Sequence, residues 1–173
     1  MIKQKNLFAW ASIDERGRAR GGKAGDQTGK EVKVGYYYDF GQTAVVRFKN
    51  KNTRNAAAVI AKALAKNDNI GYDQDQRHTL YTLARSCDWN IDKLLKKLKT
   101  TKVECDCSSF VATVINLAFE YQKVICFTTA TMLDQTVRLY PKDFKQLTVK
   151  EEEAKFYKGD MPVRPGHHVI INV

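Results

Sequence analysis

An α+β fold, with helices segregated from a small antiparallel sheet, follows from three features of this sequence. β-favouring stretches gather towards the two ends of the chain. Apolar residues at three- and four-residue spacing fill the middle. The length, 173 residues, is enough for one domain with a buried core.

The elements follow in chain order. Leu7 to Ala11 is a short apolar run, preceded by Lys3 and Lys5 and followed by Asp14, Glu15 and Arg16. It is too short for the apolar core of a signal peptide, so no export signal is expected. Gly17 to Gly29 holds five of the ten glycines and reads as a loop. Glu31 to Tyr38 and Thr43 to Lys49 read as strands. Asn55 to Lys66 is alanine-rich, with Val59, Ile60, Ala63 and Leu64 at helical spacing, and predicts a helix. Gln76 to Cys87 predicts a second, and Asn90 can cap a third over Ile91 to Leu98. Cys107 to Gln122 is the best-defined helix: Cys107, Phe110, Val111, Val114, Leu117 and Ala118 share a face, with Asp106 or Ser108 as cap. Thr128 to Leu139 reads as helical and Phe144 to Val149 as a strand. Tyr157 to Val163 and His168 to Val173 read as two strands joined at Arg164-Pro165-Gly166. No repeat or low-complexity linker divides the chain, so residues 1–173 are expected to form a single domain.

Charge narrows the partners without choosing one. The net charge is +10, with 29 Lys and Arg against 19 Asp and Glu, so polyanions are attracted over about a Debye length. Anionic cell-wall polymers and nucleic acid both fit, as does a merely soluble basic surface. A nucleic-acid surface calls for a basic stripe interleaved with aromatics. Tyr36-Tyr37-Tyr38 with Lys33, Arg47 and Lys49 is only a weak version, so no nucleic acid is expected. No stretch approaches the ~20 apolar residues of a membrane span, and no membrane insertion is expected.

Chemistry centres on cysteine. Of Cys87, Cys105, Cys107 and Cys126, Cys107 begins a predicted helix. Backbone N–H groups and the positive end of the helix dipole favour a thiolate there and can hold an oxyanion. The plain alternative is a small buried residue. The three histidines are His78, inside a predicted helix, and the adjacent His167 and His168 at the start of the last strand. Strand side chains alternate, so only one of that pair can face Cys107, and the pattern alone leaves open which. Zinc on Cys105, Cys107, His167 and His168 is disfavoured, because neighbouring strand histidines point apart. No cofactor or metal is expected.

Asp106-Cys107-Ser108-Ser109-Phe110, then Lys158-Gly159-Asp160-Met161, then Gly166-His167-His168-Val169-Ile170 resemble the NlpC-type superfamily of papain-like cell-wall hydrolases. Ala24-Gly25-Asp26-Gln27-Thr28-Gly29-Lys30-Glu31-Val32 and Ile70-Gly71-Tyr72-Asp73-Gln74-Asp75-Gln76-Arg77 sharpen the likeness towards phage lysins of that superfamily. The resemblance implies a nucleophile at the start of a central helix, packed on a small antiparallel sheet that carries the histidine. It implies Cys107 as nucleophile and His168 as base, with His167 as fallback. Tyr72 and Asp73, with Asp26 and Gln27, are expected at the substrate cleft, and Asp106 is expected to support the helix start.

The implied function is a cysteine-dependent peptidoglycan hydrolase that cuts a stem-peptide amide or the muramoyl-L-alanine bond. A monomer, made in the host cytoplasm and acting on the wall after release, is expected, with no wall-binding module in this sequence. The family's third polar residue, on a strand after the histidine strand, has no counterpart before Val173. Asn172 is about 13 Å from His168 along a strand, so the orienting group is expected to come from elsewhere, to be absent, or to have been lost with chain beyond Val173. The rival readings are a basic wall-binding domain without catalysis, and a cysteine peptidase or acyltransferase acting on protein.

Overall fold

The computed structural model describes residues 6–120, 125–148 and 155–173. The architecture is α+β. Strands β1 (Leu7–Ala11), β2 (Val32–Tyr36) and β3 (Ala44–Phe48) precede helix α1 (Lys51–Leu64). Then come β4 (Ile70–Tyr72), α2 (Thr79–Ser86), α3 (Ile91–Lys97), β5 (Val103–Cys105) and α4 (Cys107–Ala118). A π-helical turn (Asp134–Arg138) and β6 (Phe144–Thr148) lead to β7 (Met161–Arg164), β8 (His168–Val169) and β9 (Ile171–Asn172).

Two antiparallel sheets, ordered β2-β1-β9 and β6-β3-β7-β8, carry the strands of both chain ends. The last segment belongs to both: β8 pairs with β7, and after Ile170 the chain moves on to pair β9 with β1. The Ile170 N–H donates to Pro162 O at the switch. A short parallel pair, β4-β5, stands apart. It departs from the purely antiparallel expectation, and its three-residue strands are too short to show a period in sequence.

Strand β1 is apolar on both faces. Ala9 and Ala11 join the main core, while Phe8 and Trp10 enter a second cluster with Val45, Phe156 and Ile170. Burial on both sides removes the alternation that marks a half-exposed strand, so the run Leu7 to Ala11 carries no strand signal.

Helix α1 starts four residues before its predicted start. Asn50 caps it, its side chain accepting from the N–H groups of Asn52 and Thr53. Its buried face is Ala57, Ala58, Ile60, Ala61 and Leu64, whereas Val59 is 68% exposed and lies off the face assigned to it. Asn90 caps α3 as expected, accepting from Lys93 N–H at 3.0 Å.

Helix α4 is the centre of the molecule: every residue from Cys107 to Leu117 is buried. Its polar side chains are satisfied inside. Thr113 Oγ1 donates to Ser109 O, and Asn116 Nδ2 donates to Ala112 O and Ile125 O. Asn116 Oδ1 accepts from Ile125 N–H, which ties residue 125 back onto the helix. Residues 121 and 122 of the predicted helix, and Val149 of the predicted strand, lie outside the described residues.

Strand β7 begins at Met161, not Tyr157, because Tyr157 to Asp160 forms a turn. Asp160 Oδ2 accepts from Tyr157 N–H, and Gly159 has φ +80°. A Cβ at Gly159 would stand 2.3 Å from Arg54 O, so glycine is required there for contact as well as conformation. Asp160 also meets Arg47 of β3 in a buried pair, with Nε–Oδ1 at 2.7 Å and Nη2–Oδ2 at 2.6 Å. The Lys158-Gly159-Asp160 motif thus fastens the histidine-bearing strands to β3 and α1. Among the described residues, no helix is long and apolar enough to cross a membrane.

Candidate active site

The site is built where β5 runs into α4. Asp106 is extended and caps the helix: its carboxylate accepts from Ser109 N–H at 2.7 Å, and Ser109 Oγ accepts from Asp106 N–H at 2.9 Å. Cys107 is therefore the first helical residue, and its own N–H has no acceptor within the helix. Arg77 braces the cap from α2's approach. Its Nη2 donates to Ser108 Oγ at 2.8 Å and to Phe127 O at 2.9 Å. Its Nε lies 3.2 Å from Asp106 Oδ2, a charge contact without hydrogen-bond alignment. Ser108 Oγ in turn donates to Asp106 Oδ1. Arg77 ends the stretch Ile70 to Arg77, and nothing local in sequence assigns it this role.

Strand β8 packs against α4, and the backbone N–H groups of Val169 and Ser108 lie near enough to the Cys107 sulfur to favour its charged form. His168, next to Val169, is half-buried between aromatic rings. Phe40 meets it edge-on at 5.2 Å and Tyr38 lies at 6.4 Å. Tyr38 also stands near enough to Cys107 for the two charges to interact. His168 Nε2 is buried and has no hydrogen-bond partner among the described residues. His167 is exposed in the preceding turn, its N–H donating to Arg164 O, and His78 is exposed at the start of α2. Asn172 is buried in β9, paired with Phe8 of β1. Among the described residues, the side chains seen packed on His168 are the aromatic rings of Phe40 and Tyr38.

Burial sets the charge state. The Cys107 thiol is pushed up to about 12, by desolvation first and by the Asp106 carboxylate second. The Val169 and Ser108 N–H groups and the Arg77 charge pull the other way and lose. His168 is held down at about 4 by desolvation, against the pull of Asp106. The helix start alone favours a thiolate. In this fold the loss of water outweighs it, which favours the neutral thiol at Cys107 and the neutral imidazole at His168.

Tyr72 lies buried near the same thiol, its hydroxyl accepting from Gln74 Nε2 and its pKa pushed up to about 12 by burial. Asp73 follows it, buried, with Oδ1 accepting from Asp75 N–H and its own N–H donating to Cys105 O. Asp26 and Gln27 belong to a self-closed loop. The Asp26 carboxylate accepts from the N–H groups of Thr28, Gly29, Lys30, Glu31 and Val32. Gln27 Nε2 donates to Ala24 O and Gly25 O. That loop is moored to β4 and β5 by two buried carboxylates. Glu31 accepts from Tyr72 N–H, and Glu104 accepts from Gly25 N–H. Gly71 is obligatory at the junction, since a Cβ would meet Gly25 O and Glu104 Oε2 at 2.7 Å.

All four cysteines are free; Cys105 is buried with its sulfur 3.5 Å from Gly71 O, and Cys126 is exposed. Among the described residues, no group of three or more His, Cys, Asp or Glu side chains is arranged to hold a metal ion.

No curated protein and no solved structure matches the chain. A family model, that of an endolysin-like domain, matches residues 8–173. That match runs from Phe8 in β1 to Val173 and takes in both the helix start at Cys107 and the strand at His168, so the chain belongs to the endolysin-like domain family.

Proposed function

We propose that this protein is a phage-lysin peptidoglycan hydrolase of the NlpC-type, papain-like kind, with Cys107 as nucleophile and His168 as base. Family membership supports the coarser part, a lysin acting on the cell wall. The observation that carries the finer part is the packing of β8, the strand that begins at His168, against α4, with the Val169 N–H near the Cys107 sulfur.

The chemistry follows from a neutral pair. As the Cys107 sulfur bonds to an amide carbonyl carbon, its proton passes to His168. The carbonyl π electrons move onto oxygen, which the Cys107 N–H at the helix start stabilises. When the tetrahedral centre collapses, the C–N bond breaks and the His168 imidazolium gives its proton to the leaving amine. A thioester remains. Water, deprotonated by His168, then attacks it, releasing a carboxylic acid and restoring the thiol. Burial by Phe40 and Tyr38 keeps His168 unprotonated and ready to accept, and edge-on packing fixes its ring. Tyr72 lines the cleft beside the sulfur. Asp26, Gln27 and Asp73 serve the cleft through the loops they hold in shape. The scissile bond is a stem-peptide amide or the muramoyl-L-alanine amide.

The test is turbidity loss of isolated Gram-positive walls, with mass spectrometry of the released fragments. The parent is expected to lyse and Cys107→Ala to be inactive, with His168→Ala slowed by about 10²–10⁴-fold. Full lysis by Cys107→Ala would refute the assignment. Wall binding without lysis by either protein would indicate a binding domain.

A further inference from the structure

A basic groove lies away from the Cys107–His168 site, on β3, β6 and the start of α1. Arg47, Lys49, Lys51, Arg54, Lys145 and Tyr157 line it, and no carboxylate lines it among the described residues. Lys49, Lys51 and Lys145 are exposed. The Tyr157 ring is its platform, with the Arg47 guanidinium at 4.5 Å and the Arg54 guanidinium and Lys155 ammonium each at 5.0 Å from the ring centre. Arg47 is already paired with Asp160, which fixes the wall of the groove. Arg54 Nε is buried with no hydrogen-bond partner among the described residues. The Lys158-Gly159-Asp160 turn holds this arrangement, because Gly159 lets the chain close onto Arg54.

Gathering like charges on a rigid platform raises the local potential and costs stability unless an anion answers it. We propose that this groove binds the phosphates of a phosphodiester-linked cell-wall polymer, holding the enzyme on the wall independently of its cleft. The choice of a wall polymer rests on the reading of the protein as a wall-acting lysin. The chemistry rests on the groove. Ammonium groups and a guanidinium suit phosphate oxygens. The cations on Tyr157 occupy the ring that single-stranded nucleic acid would need for base stacking.

The test uses Cys107→Ala protein, so that walls stay intact, and measures co-sedimentation with isolated Gram-positive walls at about 50 mM and about 200 mM salt. Walls stripped of phosphodiester polymers by aqueous hydrofluoric acid are the comparison. Adding Lys49→Gln, Lys51→Gln and Lys145→Gln is expected to lower apparent affinity at least about ten-fold at the lower salt and to flatten the salt dependence. Stripped walls are expected to bind both proteins equally weakly. The three lysines are exposed, so the variant is expected to fold as its parent does. Equal binding of the two proteins to untreated walls would overturn the proposal, as would undiminished binding to stripped walls. Loss of duplex DNA binding by the variant with wall binding unchanged would overturn it in favour of nucleic acid. Bond cleavage is read separately from released fragments of the native protein, so a failed hydrolase assignment leaves this result interpretable.

Discussion

Replacing Phe40 by alanine opens the imidazole of His168 to water. The ring of Phe40 packs edge-on against it at 5.2 Å, and desolvation is the main reason that His168 is held at about 4. With that ring gone, its pKa is expected to rise towards the ordinary histidine value of about 6.5. The consequence for a general base can be worked out. At pH 5 a base of pKa about 4 is still about nine-tenths neutral, so the parent should lose only about a tenth of its rate between pH 7 and pH 5. A base restored to about 6.5 is about 3% neutral at pH 5, so a fully relaxed Phe40→Ala protein should lose about 25-fold over the same interval. Initial rates on solubilised wall fragments give the profile, and the His168 ring proton, assigned with His168→Gln, gives the pKa directly by NMR. An acid limb near pH 6.5 in the parent, or an unmoved limb in Phe40→Ala, would refute the claim that aromatic burial sets the base.

Two further expectations concern the frame of the site. Asp160→Ala removes the carboxylate that faces the 5%-exposed Arg47 and should cost about 3–5 kcal/mol in urea unfolding, because a buried charge loses its partner. A loss below about 1 kcal/mol would mean that the pair is not what joins β3 to the Tyr157 turn. Glu104 is held up at about 7, by burial first, with Gly25 N–H opposing and Glu31, Asp73 and Glu15 adding to the rise. A folded value above the unfolded one means that its contribution is full below about pH 4.5 and is lost as pH rises through 7. His168, lowered to about 4, acts oppositely: its contribution is full above about 6.5 and is lost as pH falls. Between pH 6.5 and 8 the Glu104 effect should therefore dominate, and the urea midpoint should fall. Glu104→Gln should flatten that slope; an unchanged slope would assign it to other groups.

Much of this molecule was legible in residue order alone, and the reason is that those features are local. The helix beginning at Cys107 follows from a capping aspartate and a three-four apolar spacing. The turn after Arg164 and the cap at Asn90 depend on neighbours within four residues, whereas the cap at Asn50 lay outside the helix read from Asn55. Tertiary structure decided what depends on surroundings. Strand β1 is buried on both faces, and the parallel pair β4-β5 is three residues long, so neither leaves a period to read. Arg77 braces the cap of α4 from thirty-one residues away, and Phe40 and Tyr38 enclose an imidazole more than a hundred residues later. His168 is half-buried against Phe40 and Tyr38 while His167 stays in solvent, because β8 pairs with β7 in one register and that pairing is long-range. Charge state shows the division most clearly. A cysteine at a helix start is marked in sequence as a favoured thiolate, yet burial pushes this thiol up to about 12, since desolvation belongs to the packed interior and has no sequence pattern.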